Sequence, residues 1–379
     1  MILSLLATFF FPKKMMAIDF FDDLGLALDA GDLIEPPDSL NLPDLRHDWQ
    51  NLLKGGRLKW QDERVKYPRF VDLCLRVYRK VYFALNSYDP AWVGSTGKSG
   101  KVRLVSDNWL DVYDFRFGKT PLVMTSHVYT NLGIQANYGI LSLSYSVDLN
   151  TLFNHHSSKH RKFSFNISTA RLFAQAYFWE NSGGSVIRRV GSKLYLNRHR
   201  DVPFDGLSFH AAGVMGFYTF NSKRFSFAAP YELSNYQLRS AGSWLAGVSG
   251  TFYKADFDFS ELPQNVLDKL NFPFQQYSLD YNSVNLLGGY SFNWVCNKHF
   301  LFNTTTLPGF GVSFSFSNST TGRKDLFSAT IRQMLSLTYT NREFFVTGNS
   351  MFHGNMLPTG DLAFLSGIIN FQISTGVRF

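Results

Sequence analysis

Leu141-Ser142-Leu143-Ser144-Tyr145-Ser146-Val147-Asp148-Leu149 alternates without a break. Side chains of an extended strand point to opposite faces in turn. Leu141, Leu143, Tyr145, Val147 and Leu149 therefore share one face, and Ser142, Ser144, Ser146 and Asp148 the other. The same period returns downstream. Phe163, Phe165 and Ile167 alternate with Ser164, Asn166 and Ser168, and Tyr290, Phe292 and Trp294 with Ser291 and Asn293. Val312, Phe314 and Phe316 alternate with Gly311, Ser313 and Ser315. The second face is small and polar, whereas the outside of a soluble β-sandwich would be richer in Lys and Glu. One greasy face and one wet, hydrogen-bonding face is the pattern of a transmembrane β-barrel.

Composition supports that reading and excludes its main competitor. Of 379 residues, 45% are hydrophobic, 17% aromatic and only 17% charged, and Phe alone contributes 38. Mean hydropathy is nevertheless −0.11, because Ser, Asn, Gly and Thr dilute the apolar residues one by one. A membrane-spanning helix needs roughly 20 consecutive apolar residues. The longest greasy run, Ile2 to Phe11, is too short.

Period-two segments near 101–117, 122–138, 140–151, 161–170, 172–181, 207–220, 224–233, 243–257, 284–296, 299–316, 326–340, 343–354 and 362–379 give thirteen candidate strands. Bacterial single-chain barrels have even counts, so one segment is misassigned and the expected number is about 12. Tight turns at Tyr138-Gly139, Asn221 to Arg224, Asn297 to His299 and Asn341-Arg342 contrast with long excursions at 152–160, 182–206, 258–283 and 317–325.

The barrel is expected over residues 100–379, behind three smaller zones. Residues 1–17 resemble an export signal with an apolar core but without basic residues ahead of it; Lys13 and Lys14 follow the core instead. Residues 18–45 form an acidic linker broken by Pro36, Pro37 and Pro43. Residues 46–99 carry helical spacing at Phe70, Leu73, Val77, Val81 and Leu85, then turn residues from Asn86 onward. This helical segment is expected at the periplasmic mouth or within the lumen as a plug.

The net charge of +8 is uneven, since nine acidic residues crowd between Ala17 and Asp48. Elsewhere Lys and Arg sit in turns and loops rather than in one stripe, which argues against a nucleic-acid partner. The densest basic excursion, Arg188, Arg189, Lys193, Arg198 and Arg200, fits a rim loop touching lipopolysaccharide phosphates. Trp109, Tyr113, Trp179, Trp244, Tyr253 and Trp294 lie near strand ends or outer faces and are expected in the aromatic girdles at headgroup depth. In the last strand Phe371, Ile373, Thr375, Val377 and the terminal Phe379 alternate with Gln372, Ser374, Gly376 and Arg378. That ending resembles the signal by which barrel-assembly machinery recognises its substrates, with Phe371, Ile373, Val377 and Phe379 as its residues.

The order of motifs also resembles a known family. The runs Phe83 to Leu104 (FALNSYDPAWVGSTGKSGKVRL), Val128 to Leu149 (VYTNLGIQANYGILSLSYSVDL), Ser240 to Tyr253 and Gly289 to Gly311 are similar to domain of unknown function 4421, an uncharacterised Bacteroidota family. The resemblance spans about residues 68–379. It implies an outer-membrane barrel with a short helical N-terminal part and supplies no catalytic residues.

Candidate chemistry is sparse. Gly94-Ser95-Thr96-Gly97-Lys98-Ser99 lacks the Gly that a phosphate loop needs five positions before Gly97, where Trp92 stands instead. His155, His156 and His160 sit among Ser and Lys without a carboxylate, so no metal site is assigned. Cys74 and Cys296 are expected as free thiols. His127, His210 and His353 fall in strands among many serines, but no Gly-x-Ser-x-Gly turn marks a nucleophile. No catalytic residue and no cofactor is assigned. The expected protein is a Gram-negative outer-membrane barrel, a narrow porin-like channel or an envelope component, meeting lipid, lipopolysaccharide and the assembly machinery. A membrane-embedded lipid-modifying enzyme and a soluble ligand-binding β-domain are the alternatives.

Overall fold

The computed structural model describes Leu73 and residues 87–98, 100–117, 120–138, 141–149, 159–191, 193–194, 202–262, 276–318, 325–341, 343–359 and 362–379. The export-like segment, the acidic linker and most of the helical segment lie outside the described residues. Leu73 is helical and exposed.

The strands are β1 (Val93–Ser95), β2 (Gly100–Phe117), β3 (Thr120–Ser126), β4 (Tyr129–Tyr138), β5 (Leu141–Asp148) and β6 (Lys159–Ser168). They continue as β7 (Leu172–Ser182), β8 (Ser185–Val190), β9 (Lys193–Leu194), β10 (Val202–Phe204), β11 (Leu207–Thr219) and β12 (Asn235–Gln237). The last six are β13 (Ala241–Asp258), β14 (Gln276–Val295), β15 (Phe300–Asn318), β16 (Asp325–Thr340), β17 (Phe344–Thr359) and β18 (Leu362–Arg378). A single helical turn, α1 (Ala228–Tyr231), interrupts the excursion between β11 and β13.

All ladders are antiparallel. From β6 the order runs β7, β11, β13, β14, β15, β16, β17, β18 and β2, so the last long strand pairs with the first. β2 continues the ladder to β4 and then β5, which comes back beside β6. β3 and β4 are one strand broken at His127-Val128: both pair with β2, β4 over its first half and β3 over its second. Counting them once, and leaving out the rim extension β8, β9 and β10, gives twelve strands in one sheet that curls into a barrel, with no ladder between β5 and β6 among the described residues. Side chains reaching across the interior show the curl. Asn181 on β7 donates to Asp111 on β2 at 2.7 Å, and Lys162 on β6 pairs with Asp107 on β2 at 3.0 Å.

The surplus candidate strand is 224–233. Arg224 and Phe225 close a turn on Asn221, and Ala228 to Tyr231 coil into α1. Its apolar residues alternate too briefly for a wall strand and are buried inside the barrel instead. The chain therefore leaves the wall after Thr219, dips into the lumen and rejoins at Ala241.

The alternation read from sequence sets the faces. On β14, Val284, Leu286, Tyr290 and Trp294 point outward at 41–70% exposure, while Ser283, Asn285, Ser291 and Asn293 are buried inside. Such polar inward groups need partners, and they find one another. Ser291 and Thr305 hydroxyls lie 2.6 Å apart, and Asn303 Nδ2 donates to Asn293 Oδ1 at 2.6 Å. Glycine makes room for a bulky inward ring at Gly213, where a Cβ would lie 2.6 Å from the Tyr177 phenol.

One expectation about aromatics needs correction. Trp244 and Trp294 do face outward, but Trp109, Tyr113 and Tyr253 are buried in the interior, and Trp179 packs against the core there. Parity decides this: Trp109 and Tyr113 share a face of β2 with Lys101, Arg103 and Asp111, all buried.

Candidate functional site

The interior is divided by two apolar plugs. At the end where β2 meets β3, residues including Phe115, Leu122, Ile187, Phe204, Phe257 and Phe364 form one core. At the opposite end, Phe173, Phe217, Phe225, Phe227, Tyr231 and Leu307 form the second.

The inward excursion builds the second plug and reaches walls on several sides. Asn293 on β14 donates to the Ser226 carbonyl at 2.8 Å, and Tyr231 donates its hydroxyl to Asn303 on β15 at 2.5 Å. Ser336 on β16 donates to the Pro230 carbonyl, Arg103 on β2 to the Tyr231 carbonyl, and Arg378 on β18 to the Leu233 carbonyl. Burial pushes the Tyr231 phenol above its ordinary ionisation range, so it stays a hydroxyl donor. β12 pairs with β1, and Trp92 lies against the guanidinium groups of Arg224 and Arg239, which ties residues ahead of the barrel to the plug. The Gly94 to Ser95 stretch is thus strand, and Thr96 donates to the Ser234 carbonyl; no phosphate loop forms there.

Between the plugs lies a cavity of about 310 Å³. Arg103, Lys162, Gln175, Trp179, Arg332 and Asn370 are among its lining residues. Its three cations, Arg103, Lys162 and Arg332, outnumber its two carboxylates, Asp107 and Glu232. Lys162 pairs with Asp107 and the Glu232 charge acts on Arg103, whereas Arg332 forms no ion pair among the described residues. Arg103 donates to Gln135 Oε1 at 2.8 Å. Arg332 donates to Gln175 Oε1 at 2.5 Å and touches the Met215 sulfur, while its Nε finds no acceptor. A guanidinium offers five donors and prefers oxyanions that take two at once. The cavity is therefore chemically suited to a small anion.

The three strand histidines separate. His353 is buried in the interior beside Tyr177 and Trp179, and Thr330 lies 3.4 Å from its Nε2. His127 stands at the break between β3 and β4. His210 is on the outer face, with Ser208 Oγ 3.3 Å from its Nε2. Sequence reasoning named His210 but not this serine; a Ser-x-His pair on an outward strand face was the available signal.

Of the basic rim group, Arg188 donates to Thr125 Oγ1 at 2.9 Å and Arg189 to the Gly191 carbonyl at 2.9 Å. The Lys193 backbone pairs with Val190 in the rim extension, and Arg198 and Arg200 lie outside the described residues. In the last strand Phe371, Ile373, Val377 and Phe379 all face outward at 47–64% exposure. The Phe379 backbone exchanges both hydrogen bonds with Gly100, joining the two ends of the barrel. Cys296 is a free, exposed thiol beyond β14, and Cys74 lies outside the described residues. Among the described residues no group of His, Cys, Asp and Glu could hold a metal.

A family model described as domain of unknown function (DUF4421) matches residues 97–379. The chain belongs to that family. The matched span takes in the DUF4421 barrel wall from just ahead of β2 to the terminal Phe379. No curated protein matches the chain. Among solved structures, the outer membrane protease OmpT from Escherichia coli is similar at 7% identity, covering 77% of this chain and 98% of its own, with a TM-score of 0.33. The toluene transporter TodX from Pseudomonas putida is similar at 9% identity, covering 78% and 99%, with a TM-score of 0.22. An outer membrane protein of Vibrio cholerae, also called OmpT, is similar at 8% identity over 74% and 98%, with a TM-score of 0.17. At these scores none of them bears on the chemistry of the DUF4421 interior.

Proposed function

We propose that this DUF4421 chain is an outer-membrane β-barrel that is closed to free diffusion and keeps an internal cavity for a small anionic solute. The observation that carries the reading is the inward excursion at 225–237, which hydrogen-bonds to β2, β14, β15, β16 and β18 and so crosses the lumen. Eight-stranded barrels are filled by side chains and sixteen-stranded ones leave a channel; twelve strands leave space that this excursion takes up. Purified full-length protein in a planar bilayer is expected to be electrically silent. Stepwise conductance from the native chain would overturn the closed-barrel reading.

Orientation follows from connection lengths. Apart from the inward excursion 220–240, the end holding both Gly100 and Phe379 has the short links 139–140, 169–171, 296–299 and 341–343, and the other end carries 149–158, 183–206 and 259–275 beside the short 118–119 and 360–361. Short periplasmic turns and longer extracellular loops are usual, so Gly100 and Phe379 belong at the periplasmic end. Arg188, Arg189 and the Lys193 backbone then stand at the extracellular rim, where lipopolysaccharide phosphates are the fitting partners. The outward row Phe371, Ile373, Val377 and Phe379 serves as the recognition signal for barrel-assembly machinery. Carbonate extraction tests the membrane placement: the protein stays with the membrane pellet, whereas a soluble β-domain would wash off.

A further inference from the structure

The ladder register defines where the apolar belt ends on the side of the long connections. Phe163, Phe178, Phe252 and Phe314 lie on one continuous line of rungs across β6, β7, β13 and β15, all outward and 38–64% exposed. The next outward line toward the rim is entirely polar: Arg161, Glu180, His210, Lys254 and Asp280, each directly opposite the next. Headgroups and the ester bonds just beneath them belong at such a border.

Ser208 and His210 sit at this border on the outer face of β11. Ser208 Oγ is 3.3 Å from His210 Nε2, close to the geometry of a nucleophile and its base. Glu180 occupies the rung opposite His210 on β7, and Lys254 the rung opposite on β13. Directly paired side chains on neighbouring strands stand about 4.5–5.5 Å apart at Cβ. Glu180 forms no ion pair with His210 among the described residues, but from that rung a turn of its side chain brings the carboxylate to the ring nitrogen that Ser208 leaves free. Lys254 is an exposed cation, 3.6 Å from Asp256 and beside the reacting pair.

We propose that Ser208 and His210 hydrolyse a carboxylic ester of a lipid held at the outer surface of the barrel, with Glu180 as a positioning residue. Ser208 Oγ attacks the ester carbonyl carbon while His210 Nε2 takes its proton. Lys254 stands where charge develops on the carbonyl oxygen. The bond from carbonyl carbon to alcohol oxygen breaks, and His210 returns the proton to the leaving alcohol. Water then attacks the acyl-serine, giving its proton to His210, and the released Ser208 oxygen is reprotonated as the fatty acid departs.

The activity depends on the membrane placement proposed above, which carbonate extraction reads separately. The test uses the full chain in mixed micelles with palmitoyl-oleoyl phosphatidylethanolamine in one arm and purified lipopolysaccharide in the other. Mass spectrometry follows free fatty acid, and the arm that yields it identifies the lipid. Ser208→Ala and His210→Ala are each expected to lower release by at least about 100-fold. Glu180→Gln is expected to lower it by about 10-fold and to move the acid limb of the pH profile, and Glu180→Asp to restore it. Besides Glu180, the charged groups around His210 are Lys254 and Asp256 on β13 and Arg161 one strand further on β6, so the profile is compared among variants with these three kept. A fluorophosphonate is expected to label Ser208 in the native chain, which reads the nucleophile even where a variant does not fold. Folding is checked by heat-modifiable gel migration. Folded native protein that releases no fatty acid in either arm, release that survives Ser208→Ala, or a fluorophosphonate found elsewhere would each overturn the proposal.

Discussion

Arg332 carries a charge into the barrel interior with only an amide oxygen and a thioether as partners. Burying a cation without an anion is expensive, and apolar replacement of buried charge is often stabilising by about 1–4 kcal/mol. Arg332→Met is therefore expected to raise the temperature at which the folded band converts on a heat-modifiability gel. It should also weaken binding of inorganic phosphate in the cavity, measured by calorimetry on the full chain. An unchanged or lower conversion temperature would mean that the arginine is already satisfied. Gly213 makes the opposite case. A methyl there collides with Tyr177, whose hydroxyl lies 2.8 Å from Thr251 Oγ1. Gly213→Ala is expected to destabilise by about 1–3 kcal/mol through overpacking, with a matching fall in the conversion temperature. Neither residue is legible in sequence: both face the interior, but parity does not say that Arg332 meets Gln175 and Met215 or that Tyr177 stands on the rung opposite Gly213.

At the scale of elements, the strands were legible and the excursion between β11 and β13 was not. Alternation located the outward faces of β14, β15 and β18 because lipid accepts only apolar side chains and each backbone group is satisfied by its neighbour strand. Residues 224–233 alternate as well, yet they serve an interior partner. Replacing Phe225 to Gln237 by a Gly-Ser linker of equal length is expected to convert the silent barrel into one with stepwise conductance. A replaced barrel that folds and stays silent would place the seal in the other apolar core. The terminal strand gives a second prediction. Phe379 is outward, and its backbone is bonded to Gly100. Phe379→Ala is expected to slow membrane assembly, seen as accumulation of unfolded chain in pulse-chase, while leaving the conversion temperature of assembled protein little changed.

For the whole molecule the governing quantity is the height of the apolar belt. Twelve residues of β14 separate Asn282, on the line of the phenylalanine border, from outward Trp294. At about 3.3 Å per residue and a tilt near 40°, that is roughly 30 Å along the barrel axis, close to a bilayer core. Leu286, 70% exposed, lies within the belt. Leu286→Lys is expected to cost about 2–4 kcal/mol, whereas a lysine at the neighbouring rim row, where Lys254 already stands, would cost little. Urea titration of the protein refolded into lipid vesicles would show the difference, and equal costs at both depths would contradict the belt.

The order of polar and apolar residues, by itself, determined an antiparallel barrel of about twelve strands, the outward faces of strands such as β14, β15 and β18, and the place of the terminal strand. Those properties are local, because a strand's two faces follow from its own period and every outward position meets the same solvent. Only the tertiary structure decided that the excursion carrying α1 lies inside the barrel, that Arg103 and Arg332 share a cavity, and that Glu180 stands on the rung opposite His210. Such neighbours are fixed by strand register and by distances across the barrel, and no period within a single segment encodes either.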